Sequence, residues 1–79
     1  MSTFERLNEC LKRDGLLTAD SLDDSLEEDL CLDSLDRISL AIEIENEFGF
    51  AIPVSVMDNI TTVRGVVAYI DKRLDDCDF

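Results

Sequence analysis

Three stretches of the chain place apolar residues at helical spacing. Phe4, Leu7, Cys10 and Leu11 form one stripe. Ser2 and Glu5 supply a capping box in front of it, and Lys12 and Arg13 suit its end before Gly15. Toward the other terminus Val63, Val66, Val67, Ile70 and Leu74 share a face, preceded by Thr61 or Thr62 as cap and closed by Lys72 and Arg73. Gly65 inside that helix costs roughly 1 kcal/mol against alanine on propensity alone. Both helices read as suppliers of core. A third begins at Asp33, with Asp36 three residues on, and stops at Phe48-Gly49. Pro53 opens a short segment, Val54 to Asn59, worth one or two helical turns. Leu16, Leu17, Leu22, Leu26 and Leu30 lack a sustained period and predict a long loop after the first helix, pinned to the core by its leucines. One Pro and three Gly leave too few turn residues for a sandwich or barrel. The expectation is an all-α domain over residues 1–79, with three main helices and one short one.

The middle helix is the informative one. With Leu35 at zero and steps of about 100° per residue, Leu40, Ala41, Ile44 and Phe48 fall on an ordinary core stripe. Leu35, Ile38 and Ile42 form a second apolar stripe, separated from the first by Glu45, while Asp36, Glu43 and Glu47 gather between them on the other side. A single buried face does not need both stripes. Either the helix packs on two neighbours, or the second stripe is an exposed docking patch bordered by carboxylates.

Charge sharpens this picture. The chain carries 19 acids against 7 bases, a net charge of -12, which excludes direct binding to nucleic acid. Thirteen of the acids lie between Asp14 and Asn59, where Arg37 is the only base; elsewhere acids and bases cancel. Such a block is either a solvated face or a surface for a basic partner. The chain has no histidine, which removes the commonest general base and metal ligand and argues against a self-contained hydrolase. Cys10, Cys31 and Cys77 are odd in number and widely spaced, as reduced thiols are. No apolar run is long enough to span a membrane and no basic-then-apolar leader opens the chain. The expected location is cytoplasmic, or the interior of an organelle after loss of a leader.

Asp33-Ser34-Leu35 with Asp36, the helix ending Glu45-Asn46-Glu47-Phe48, then Ile52-Pro53 and Ile60-Thr61-Thr62-Val63 together resemble acyl carrier proteins, and Leu30 sits at the matching place before the attachment tripeptide. The tripeptide alone is weak; joined to the acidic helix and the two later motifs it is specific, and the likeness covers essentially the whole chain. On its own, a serine at a helix start is a cap. The resemblance implies instead that Ser34, flanked by Asp33 and Leu35, accepts 4'-phosphopantetheine from coenzyme A through a separate phosphopantetheinyl transferase. Acyl groups then travel as thioesters on the arm's thiol, and the protein is not itself an enzyme. The tether raises effective concentration at each docked enzyme.

The resemblance further implies a four-helix bundle, a monomer, whose core shelters an acyl chain among Leu26, Leu40, Ile44, Ile52, Met57, Ile60 and Val66. Plain core packing explains the same residues. It implies that acyl-loading, ketosynthase or acyltransferase-type enzymes with basic patches dock on Asp33, Leu35, Asp36, Ile38, Ile42, Glu45 and Glu47, steered by charge and fixed in register by the apolar stripe.

Four positions depart from the pattern of carriers in fatty-acid synthesis: Ser39 and Asn46 stand where acids are usual, Cys31 where glycine is common, and Arg37 adds a base. These point to a specialised carrier for a dedicated acyl, lipid or polyketide-type pathway. An aminoacyl or peptidyl carrier is the nearest alternative, and an acidic interaction module without a prosthetic group a more distant one. Calcium binding of the EF-hand kind fails, because Leu22 and Ser25 stand where an oxygen ligand and a glycine are required, and zinc lacks His and a close cysteine pair.

Overall fold

A computed structural model describes residues 2–76. Four helices follow one another, α1 (Thr3–Arg13), α2 (Ser34–Phe48), α3 (Val54–Asn59) and α4 (Val63–Asp76), with no strand among the described residues. Ser2 and Glu5 make the expected reciprocal cap on α1. Asp33 and Asp36 do the same for α2, and Gly49 ends that helix in the left-handed conformation at φ 88°. Thr62 serves α4, its hydroxyl accepting from the Gly65 amide at 3.4 Å. The core draws Leu7, Cys10 and Leu11 from α1, Leu40, Ala41 and Ile44 from α2, Met57 from α3 and Val63, Val66 and Ile70 from α4. Four stripe residues sit less deep than their spacing predicts, Phe4 and Val67 among them as half-buried side chains packed against the core. Phe48 is half-buried beneath the Arg6 guanidinium, 4.2 Å above its ring, and Leu74, near the end of α4, is exposed.

The connection from α1 to α2 is longer than either helix it joins, yet it is tightly held. Ala19, Leu26, Leu30 and Leu32 are buried. Leu17, counted among the pinning leucines, is exposed instead. The backbone is stitched to the start of α4: Ser25 bridges Thr62, the Leu26 amide donates to Thr61, the Val63 amide to Asp24 and the Arg64 amide to Leu22. Asp24, Asp29 and Ser25 side chains accept from loop amides and shape its turns. Cys31 adopts φ 57°, the left-handed region, which explains why a glycine suits that position.

Candidate functional site

Ser34 is the first residue of α2 and is exposed. Its hydroxyl is free because the capping work falls to its neighbour. The Asp33 carboxylate accepts from the Asp36 amide at 2.8 Å, and the Asp36 carboxylate accepts from the Asp33 amide at 3.3 Å. Among the described residues no hydrogen bond engages the Ser34 side chain. Ser34 opens onto a groove of about 410 Å³, whose walls are Glu27, Leu32, Asp33, Arg37 and Asp58. An accessible, unengaged hydroxyl at the edge of an open groove fits a bulky group bonded to its oxygen. The carboxylate ring makes the groove electronegative, with Arg37 its only cation.

The second apolar stripe of α2 faces solvent: Leu35 is 75%, Ile38 40% and Ile42 54% exposed. The helix therefore does not bury both stripes against neighbours. Asp33 and Glu45 are exposed beside this stripe and Asp36 is half-buried in the cap. Glu47 lies elsewhere. It turns to α1, where Arg13 holds it at 2.9 Å and Arg6 at 3.0 Å, while Arg13 also lies 3.6 Å from Glu43. These two guanidinium groups, Arg13 foremost, hold the Glu47 carboxyl below its ordinary pKa. Beneath them Cys10 is buried, and loss of solvent pushes its thiol pKa up. Sequence pattern alone missed this clamp, although the shared arc of Glu43 and Glu47 was its signal.

Of the residues assigned to an acyl shelter, Leu26, Leu40, Ile44, Ile52, Met57 and Val66 are packed in the core; Ile60 is half-buried at its margin. The adjoining seam between α2 and α3, lined by Arg37, Ile38, Ala41, Val54, Met57 and Asp58, has no room for a water molecule. Arg37 crosses it, its Nη1 donating to the carbonyls of Met57 at 2.7 Å and Ile60 at 2.8 Å. Ser39, on the flank of the exposed stripe, donates to Asp14 at 3.3 Å. Among the described residues no cluster of three or more acids and cysteines is placed to hold a metal, and no helix is long and apolar enough to cross a membrane.

The family model described as a phosphopantetheine attachment site matches residues 5–70. An acyl carrier protein of Phytoplasma australiense is 47% identical over 47 residues, covering 60% of this chain and 62% of that protein. One of Thermotoga maritima is 41% identical over 47 residues, 60% of this chain and 58% of that protein. The chain thus spans less than two thirds of the length of these two relatives. A third, from onion yellows phytoplasma, is 37% identical over 72 residues, 89% of this chain and 95% of that protein.

Proposed function

The chain belongs to the phosphopantetheine-attachment family of acyl carrier proteins, which are carriers rather than catalysts, and on that premise we propose that Ser34 is its attachment residue. The single observation that carries this is the division of labour at the start of α2: Asp33 caps the helix, so the exposed Ser34 hydroxyl is available for reaction. In the transfer Ser34 Oγ bonds to the pantetheine-side phosphorus of coenzyme A as the phosphoanhydride bond breaks. The hydroxyl proton goes to the transferase and the adenosine bisphosphate leaves. Once in place, the group supplies a thiol that holds acyl cargo as a thioester.

The rest of the proposal concerns this chain's own surfaces. Leu35, Ile38 and Ile42 would give partner enzymes an apolar anchor, and Asp33, Asp36 and Glu45 a negative rim that attracts basic patches. Glu43 and Glu47 are committed to α1 and stand apart from that surface. Met57, flexible and next to the closed seam, is the core side chain assigned to give way to an acyl chain. The partners proposed are a phosphopantetheinyl transferase and acyl-loading, ketosynthase or acyltransferase-type enzymes of fatty-acid, lipid or polyketide-type synthesis. A cytoplasmic location is part of the same proposal, supported by an exposed free thiol at Cys31, which persists in a reducing compartment.

The test is intact mass after incubation with coenzyme A and a broad-specificity phosphopantetheinyl transferase. Wild type gains one phosphopantetheine and Ser34→Ala gains none. A folded wild type that gains nothing from several transferases, or a Ser34→Ala protein that still gains mass, overturns the assignment.

A further inference from the structure

Arg37 is the only base between Asp14 and Asn59, yet its guanidinium pairs with none of the thirteen acids there among the described residues. Arg6, Arg13 and Arg64 each reach a carboxylate oxygen at 3.0 Å or less. Arg37 instead gives Nη1 to two backbone carbonyls, of Met57 and Ile60, which orient the group without neutralising it. An arginine fork carries further donors at Nε and Nη2, and among the described residues these have no protein acceptor. The same side chain walls the groove that contains Ser34, three residues earlier on α2. Residues at that spacing are neighbours on a helix surface, about 5–6 Å apart at Cβ. The other charged walls of the groove, Glu27, Asp33 and Asp58, are all acids.

A phosphodiester on Ser34 Oγ would bring another negative charge into that ring. We infer that Arg37 is the positioning residue for this phosphate. Its unused fork edge takes the phosphodiester oxygens, as guanidinium groups do, while the two carbonyls on the α3 side hold the fork in place. The contact offsets the surrounding carboxylates and starts the arm along the seam between α2 and α3. This inference rests on Ser34 as the attachment residue.

The experiment loads wild type and Arg37→Gln with coenzyme A and transferase, and verifies each product by intact mass. The Arg37 Nε–H resonance is then compared between unloaded and loaded wild type, and the phosphorus resonance between loaded wild type and loaded Arg37→Gln. The expected result is that the Nε–H resonance moves on loading and that the phosphorus resonance is displaced in the variant. The wild-type comparison is independent of whether the variant folds. An unmoved Nε–H resonance, or a phosphorus resonance identical in the two proteins, overturns the role of Arg37. Absence of any mass gain would overturn the Ser34 assignment instead.

Discussion

Gly65→Ala sets two effects of similar size against each other. Helix propensity favours alanine at this third residue of α4, in its first turn, by at most about 1 kcal/mol. Packing opposes it. A Cβ at residue 65 would stand 2.8 Å from Ile60 Cγ2, with Ile60 Cβ and Cγ1 at 3.7 and 3.8 Å. Relaxed carbon contacts lie at about 3.5–4.0 Å. Ile60 cannot withdraw its Cγ2 by swinging a chain end, because that methyl is bonded to Cβ and the branched χ1 is stiff. Forcing an extra methyl into such a contact costs about 1–3 kcal/mol. The expected net is a loss of about 1 kcal/mol, a drop of roughly 4–8 °C in Tm for a domain of this size. Urea and thermal unfolding followed by circular dichroism would measure it. In an Ile60→Ala background the obstructing methyl is gone, and Gly65→Ala should then stabilise, giving an interaction energy of about 2 kcal/mol in the cycle. Stabilisation of the otherwise wild-type protein by the full propensity gain would refute the argument.

Cys31→Gly should stabilise by about 0.5–1 kcal/mol in urea titrations: relief of the left-handed backbone is worth about 1–2 kcal/mol, and the looser unfolded chain takes back part of it. Asp33→Ala should cost about 1 kcal/mol through loss of the cap on α2, whereas Ser34→Ala should unfold within about 0.5 kcal/mol of wild type; equal losses would mean that Ser34 shares in the cap. Glu47 titrates below its ordinary value in the folded protein, so its ion pairs stabilise fully above the unfolded carboxyl pKa of about 4.3, and that stability is lost as pH falls through the lower folded value. Glu47→Gln should flatten the acid limb of a plot of urea midpoint against pH; an unchanged limb would show that Arg6 and Arg13 do not act through this carboxylate.

What the sequence made legible was local. Both capping boxes, the glycine stop after Phe48 and the proline opening of α3 can be read from residues a few positions apart, and each stands where its spacing places it. The two-stripe pattern of α2 was equally visible, but its arrangement in space was not: periodicity alone left open whether Leu35, Ile38 and Ile42 meet a neighbour or solvent. The features that stayed hidden depend on distant partners. The shared arc of Glu43 and Glu47 marks an acidic face of α2 but does not name Arg6 and Arg13 as the partners that draw Glu47 to α1, and nothing near Arg37 announces the carbonyls of Met57 and Ile60. Gly65 is the clearest case. Propensity marks it as a defect in α4, and only the approach of Ile60 shows why a side chain does not fit there.

The stitching of the long connection to the start of α4 bears on how the chain acquires its shape. Helical bundles usually fold fast because most of their contacts join residues close in sequence. Here Leu22 through Leu26 must find Thr61 through Arg64 before those backbone bonds exist, so closing a large loop is part of assembly. The enclosed segment contains α2 and α3 entire. Once the loop is shut, the helix bearing Ser34 belongs to a ring that cannot open at one end alone. Detaching that helix from the bundle as a whole therefore draws on the bonds that hold the α4 start as well as on its own packing.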